Sequence, residues 1–382
     1  MTPDGRPGAD AAGAPDVVDV AALGESMVTF LPSRPGRLAD VPSFDRAIGG
    51  AESNVACALA AAGHSARWVS RAGADGFGDH LVEAIGAWGV DVTYVRRDPA
   101  RPTGVYFRTA ADRATDAHEV AYYRAGSAAS AMGADTVDLG AVRAARVLHL
   151  SGITAALSPR CLRLTHELTA RRPGRPLVSF DVNHRPGLWR DADGPRVLLE
   201  LARGADIVFV GADEARRAWG LHDARAVREA LPEPETVVVK QGSTGATAFH
   251  GDTGGRPGGA VGSGCFVPAP RVDVVAAVGA GDAFAAGFLS ATLRGLPLHD
   301  RLRHGHLTAS AALTVPGDLA RPPARHHADR LAALDDEAWG RLRLGPGWTR
   351  TGEDAGEGPD EGSVEGSGDG SGEGAEEEVH TP

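Results

Sequence analysis

Apolar residues along this chain fall into two rhythms, and the switches between them outline its elements. Short, nearly continuous apolar runs predict buried strands at Val17–Phe30, Ala66–Arg71, Val147–Leu150, Leu177–Asn183, Asp206–Val210 and Thr236–Lys240, the first entering a Gly-Glu turn. Segments of helical spacing lie between them: Asn54 to Ala62, Phe77 to about Trp88, Ser158 to Arg172 behind a Ser-Pro opening, and Asp213–Trp219. Gly281–Arg294 and His299–Leu313 read as the last two helices. Strands separated by helices of this length predict an α/β fold with a doubly wound, mostly parallel sheet of Rossmann type.

The rhythm breaks between residues 90 and 124. Val90–Arg97, Gly104–Thr109 and Glu119–Arg124 read as short strands of alternating character with little helix between them. With residues 31–45 they are expected to form a small β-sheet layer. Such a layer acts as a lid over the carboxyl edge of the large sheet, where α/β folds bind ligands. The expected organisation is a disordered arm over 1–15, one domain over 16–330 that includes the lid, an extension over 331–350, and a tail over 351–382. The Gly/Glu/Ser composition of the tail cannot bury enough apolar area to fold. Gly251–Gly264 is expected to be a surface loop.

Charge changes this picture in one respect. The 382-residue chain carries a formal net charge of -11, but 11 of its 50 acidic residues lie between Glu353 and Glu378, with no Lys or Arg beyond Arg350. Residues 1–350 thus hold 39 acids against 39 bases. A neutral body gives no electrostatic reason to bind nucleic acid or an anionic membrane, so the expected partner is a small molecule. Cys57, Cys161 and Cys265 are odd in number and form no CxxC pair, which argues against a disulfide framework or a cysteine-based zinc site. Met1–Pro15 has no apolar core of a signal peptide, and no run of 18 apolar residues occurs, so a cytoplasmic protein is expected. Lys240 is the only lysine beside 38 arginines, and it is not in a Gly-Lys-Ser/Thr context. Any ATP site here lacks a Walker A loop.

The segment richest in chemistry is Val278-Gly279-Ala280-Gly281-Asp282-Ala283-Phe284. A Gly-Ala-Gly turn leading straight into an apolar helix leaves successive N–H groups uncovered at a helix N-terminus, a natural cradle for phosphate oxygens. Asp282 follows at once, placed to accept a hydroxyl proton as a phosphoryl group moves onto that oxygen. A plain helix start with an acidic cap carries the same residues. Gly49-Gly50-Ala51-Glu52-Ser53-Asn54 precedes the first long helix, and its paired glycines let a ligand approach the backbone.

Together these two segments resemble the two signatures of the PfkB (ribokinase-like) carbohydrate kinases, over about Val18 to Asp318. The resemblance implies a ribokinase-like sheet with a β-sheet lid, ATP as donor and Mg2+ as counter-ion. By it, Asp282 is the catalytic base, and the amides of Gly279, Ala280 and Gly281 are the anion hole. Glu214 matches the Glu of the family's Asn-x-x-Glu magnesium motif, although Gly211 stands at the Asn position. Ala276-Ala277 replace the usual Asp-Thr before the anion hole, which weakens any expectation of monovalent-cation activation. Lys240 and Gly242, at the end of the strand Thr236–Lys240, are expected near the nucleotide with Gly279 and Gly281, although a surface role fits Lys240 equally.

Gly24–Met27, Gly49–Asn54, Tyr122–Ser130, His149–Thr154 and Ser179–Arg185 further resemble the 2-keto-3-deoxygluconate kinase branch of that family. That branch phosphorylates a six-carbon 2-keto acid on its terminal hydroxyl. By this resemblance Tyr106, Tyr122, Arg124 and Arg185 hold the keto acid, Gly50 and Asn54 meet its hydroxyls, and Ile153 lines the pocket. The chemistry agrees: a sugar acid needs a cation, and a guanidinium matches a carboxylate. Tyr122 and Arg124 are two apart in an expected strand and so share a face. Other kinases of this fold acting on the galacto epimer of the keto acid, fructose, ribose or a nucleoside, and a non-catalytic sugar-acid sensor, are the competing readings. A homo-oligomer is expected, since lids in this family often pair across subunits.

Overall fold

The computed structural model describes residues 15–34, 36–109, 119–189, 193–251 and 264–350. The expectations for the arm, the acidic tail and most of the loop Gly251–Gly264 lie outside those residues.

Among the described residues, thirteen strands build the two larger sheets, beside a short parallel pair of Arg271–Val272 with Arg343–Leu344: β1 (Val18–Leu23), β2 (Met27–Pro32), β3 (Phe44–Gly49), β4 (Ala66–Gly73), β5 (Val95–Asp98), β6 (Val105–Arg108), β7 (Val120–Tyr123), β8 (Ala145–Ser151), β9 (Leu177–Asp181), β10 (Ile207–Gly211), β11 (Thr236–Lys240), β12 (Gly245–His250) and β13 (Cys265–Pro268). The large sheet has the order β13-β12-β11-β10-β9-β8-β1-β4-β5. Its seven strands from β11 to β5 are mutually parallel, and β12 and β13 add an antiparallel edge. The small sheet has the order β3-β2-β6-β7.

The central strands are apolar on both faces because both faces are covered. In β10, Val208 and Val210 face a core that includes Leu164, Leu198 and Val227 from one helical layer. Ile207 and Phe209 face the other layer, where Phe209 meets Phe284 and Phe288 edge-on at 6.5 and 5.4 Å. Two helices of that second layer matter most for the site. Ala51–Ala61 is buried along its first nine residues, and Ala280–Leu293 has eight buried positions. A helix buried this completely needs small side chains, and both segments are rich in alanine and glycine. Gly287 lies so close to the carbonyl of His304, on the helix Leu298–Leu313, that a methyl group there would overlap it.

Several elements differ from the sequence expectation. Val90–Arg97 was expected in the small layer, whereas Val95–Asp98 pairs in parallel with β4 at the edge of the large sheet. The exposed Arg96 and Arg97 give it lid-like polarity, and an edge strand needs only its inner half apolar. The edge strands β12 and β13 carry too little continuous apolar character to stand out from the Gly-rich segment beside them. The first helix also begins at Ala51 rather than Asn54, with Gly50 as its uncapped N-terminal residue.

Candidate active site

Parallel register brings the carboxyl ends of four adjacent strands to one edge: Ser151 of β8, Asp181 of β9, Gly211 of β10 and Lys240 of β11. The helix Ala280–Leu293 points its N-terminus at this edge, with Asp282 in its first turn. Gly279 caps it at φ 76°, the left-handed region where a side chain is strained. The helix Ala51–Ala61 arrives from the opposite end of the sequence and donates from Asn54 Nδ2 to Asp282 Oδ2 at 2.8 Å, across 228 residues of chain. Gly50, just before it, packs so closely that a Cβ would stand 2.5 Å from the Glu25 carbonyl oxygen and 2.8 Å from Ser26 Cα.

Burial raises the Asp282 carboxyl from an ordinary 3.8 to about 7; the Asn54 hydrogen bond opposes this, nearby Asp181 adds to it, and Lys240 and Arg185 pull downward. Lys240 Nζ donates to Asp181 Oδ2 at 2.7 Å. Burial alone would lower its ammonium, but Asp181, Glu214 and Asp282 around it hold it above its ordinary value. That ammonium also lies 3.4 Å from where a Cβ on Gly281 would sit. A cation therefore stands against the Gly-Ala-Gly turn. Gly242 is exposed on the turn after β11, at φ 60°.

The expected sugar-acid residues are divided between the two sheets, Tyr106, Tyr122 and Arg124 in or next to the small one and Ile153 and Arg185 after β8 and β9 of the large one. Tyr106 and Tyr122 are directly opposite in the β6–β7 register. Tyr106 is buried and donates from its hydroxyl to Asp318 Oδ2 at 2.6 Å, while the Tyr122 side chain is exposed. Arg124 shares the Tyr122 face, its guanidinium 5.8 Å from that ring. It does not stand free as a carboxylate clamp would: Nε donates to Glu25 Oε2 at 2.7 Å, and Nη2 pairs with the same oxygen. Ser127 donates to the other oxygen of Glu25 at 2.5 Å. Arg185 leaves about half its side chain exposed, 3.7 Å from Glu214 Oε1. Ile153 is half-buried behind Ser151, whose hydroxyl accepts its N–H at 3.2 Å.

The pfkB family carbohydrate kinase model matches residues 18–325. The chain is a PfkB-family carbohydrate kinase. It is 32% identical over 319 residues to the 2-dehydro-3-deoxygluconokinase of Thermoproteus tenax, an alignment covering 82% of this chain and 94% of that one. To the 2-dehydro-3-deoxygalactonokinase of Haloferax volcanii it is 33% identical over 308 residues, covering 79% and 93%. Among solved structures, the PfkB protein from Polaromonas sp. JS666 superposes with a TM-score of 0.70 at 32% identity, covering 83% of this chain and all of that one. The PfkB architecture of a large, mostly parallel sheet beside a small one is the fold described above, and the enzyme is an ATP-dependent kinase. Among the described residues, no helix is long and apolar enough to cross a membrane.

Four acidic residues of the kinase were missed in the sequence. Asp181, Glu25 and Glu52 are almost wholly buried, and Asp318 is 7% exposed. Glu52 Oε1 accepts from the Ser151 N–H, the Ser151 hydroxyl and the Thr154 hydroxyl, tying the first helix to the end of β8. Asp318 accepts from Arg108 at 3.0 Å as well as from Tyr106. An acid inside an apolar run is the available signal at Asp181 and Glu25; Asp318 has none, because its partners lie 210 residues upstream or more.

The fit of magnesium turns on Glu214. Its Oε2 accepts the Gly211 N–H at 3.0 Å, capping its own helix, while Oε1 faces Arg185. One carboxylate oxygen at the edge of the cleft suits a hard cation that keeps most of its water.

Proposed function

We propose that this kinase transfers the γ-phosphoryl group of ATP to the terminal (C6) hydroxyl of 2-keto-3-deoxygluconate, giving 2-keto-3-deoxy-6-phosphogluconate, with Asp282 as base. The observation that carries the reading is Asp282 itself: a carboxylate with raised proton affinity, oriented by Asn54, in the first turn of a helix behind the Gly279–Gly281 amides. Asn54 engages Oδ2 and leaves Oδ1 for the substrate hydroxyl. As that proton passes to Asp282, the hydroxyl oxygen bonds to the γ-phosphorus, the bond to the β,γ-bridging oxygen breaks, and ADP leaves. The amides of Gly279, Ala280 and Gly281 receive the phosphate oxygens, with Lys240 beside them and Gly242 on the nucleotide side. Magnesium, when bound, supplies charge neutralisation on the phosphates, and Glu214 would hold it through water.

The sugar-acid preference is supported by the names of the two relatives and by Arg124 and Arg185 on the two sides of the cleft. With Glu25 as partner, Arg124 is a preset donor rather than a free cation, and Nη1 is the nitrogen left for the keto acid. Tyr106, Tyr122, Gly50 and Ile153 complete that pocket. Arg124→Ala is expected to raise the KM for the keto acid at least ~10-fold, with the KM for ATP changed less than about 2-fold. Equal losses for both would make the arginine structural. Phe30, Phe44, Phe107 and Tyr123 cluster on one face of the small sheet, with rings 4.6–6.0 Å apart, and this face is the proposed contact of a homo-oligomer.

The deciding test is ADP release from MgATP with 2-keto-3-deoxygluconate, its galacto epimer, ribose, fructose and adenosine. Turnover confined to the keto acids is expected. Turnover on a neutral sugar alone would overturn the substrate class and leave Asp282 in place.

A further inference from the structure

Asp181, ion-paired with Lys240 at the carboxyl edge, is a buried carboxylate that the steps above leave without a task. Asp181 and Lys240 end strands two apart in the sheet, and the lysine reaches past β10 to make the 2.7 Å contact. Asp181 is 3% exposed and Lys240 is mostly buried. The second Asp181 oxygen, Oδ1, is buried with no hydrogen-bond partner. A carboxylate left half-satisfied in this way is a poor device for stability, since desolvating such a pair costs about what the attraction returns. Its position is informative instead, with the Lys240 ammonium beside Gly281 and both charges acting on Asp282.

We propose that Asp181 is a positioning residue for the transfer: it holds the Lys240 ammonium against the anion hole and offsets that cation, so that Asp282 stays able to take the hydroxyl proton. The inference rests on the reading of Asp282 as base. Without Asp181, the lysine would lose its hydrogen-bonded counter-ion and be free to pair with Asp282 itself, making a weaker base and drawing Lys240 off the phosphate site. Without Lys240, Asp282 would face Asp181 with no cation between them on that side.

The charged and titratable groups around Asp282 are few. Asp181 comes from β9, Lys240 from β11 and Arg185 from the segment after β9, while Asn54 is the neutral partner from the first helix. Glu214 also acts on Lys240. His149 of β8, bonded to Ser179 at 3.0 Å, also feels both members of the pair, and burial pushes it down to about 4, which keeps it neutral. The helix of Asp282 carries no other ionisable side chain.

The two halves of the pair should therefore act on Asp282 in opposite directions, which a merely structural pair would not do. Full-length protein labelled with carboxyl-13C aspartate is titrated by NMR, with the Asp282 resonance assigned by its loss in Asp282→Asn. Asp181→Asn is expected to move the Asp282 midpoint down by about one unit or more, and Lys240→Met to move it up by a similar amount. Lys240→Arg, which keeps the charge, is expected to stay near the parent value. The acid limb of kcat/KM at saturating MgATP should follow the same two directions. Shifts of one sign for both neutralising variants, or none above ~0.3 unit, would overturn the proposal. Because the titration needs no substrate, absence of turnover on every sugar would count against the kinase assignment of substrate and base, and not against the action of the pair on Asp282.

Discussion

Asp282→Asn is expected to lower kcat by about 10³-fold or more while leaving the Kd values for ATP and the sugar acid within a few-fold. The substitution preserves size and removes the only carboxylate in the first turn of the helix Ala280–Leu293. The neighbouring groups are engaged elsewhere: Asn54 is an amide, Asp181 Oδ2 pairs with Lys240, and Glu52 Oε1 accepts from Ser151 and Thr154. The same change should alter stability in a pH-dependent way. Asp282 has a folded-state value raised to about 7 from an ordinary 3.8, so the native state holds its proton more tightly than the unfolded chain. Its contribution is fully present below pH ~3.8 and is lost as pH rises through 7, where burial of the bare carboxylate costs roughly a few kcal/mol. Asp282→Asn should therefore melt higher than the parent at pH 8 and gain much less at pH 5. Single-turnover kinetics with melts at both pH values check the pair of claims. A variant turning over near the parent rate would end the role of Asp282 as base.

The raised value has a kinetic counterpart. A base half-protonated near pH 7 takes a proton more readily than an ordinary carboxylate, and fewer molecules hold it ionised as the solution becomes acidic. Turnover should fall on the acid side of neutrality.

How much of this could be read from sequence depended on where the cause of each feature lies. The βα rhythm was legible because parallel strands covered on both faces, such as Ile207–Gly211 and Thr236–Lys240, are apolar at almost every position. Asp282 was legible because the turn before it, the helix after it and the acid itself are local. Val95–Asp98 was misplaced because its pairing with β4 leaves no local trace, and its two exposed arginines match a lid strand equally well. The start of the first helix was missed because Glu52, Ser53 and Asn54 look like loop residues, although each is buried and Glu52 and Asn54 hydrogen-bond groups far away in the chain. The Glu25 partner of Arg124 was not legible because it stands 99 residues earlier. In each miss a polar group was recognised and its distant partner was not, and the partner decides whether such a group is a site, a brace or a surface.

Gly279→Ala carries this reasoning to the anion hole. At φ 76° an alanine costs about 1–2 kcal/mol in backbone strain alone. The added methyl would also overlap the carbonyl oxygen of Asp318, so the turn or the 316–318 segment must move. The 316–318 segment is tied down, because the Asp318 side chain accepts from Tyr106 and Arg108 of β6 and Arg108 also donates to the Pro316 carbonyl at 3.1 Å, so the turn takes up the movement. Displacing the amides of residues 279–281 by even a fraction of an ångström removes donors aimed at the transferring phosphoryl group, a loss of about 10²–10³ in kcat. Gly281→Ala is the matched control, since its helical backbone accepts a side chain and the nearest atom to the new methyl is Lys240 Nζ at 3.4 Å. Gly279→Ala is expected to lose both turnover and several degrees of melting temperature. Gly281→Ala should fold normally and lose mainly affinity for ATP. Equal melting and equal turnover for the two variants would mean that the left-handed turn does not set the anion hole, and that the position of the helix alone does.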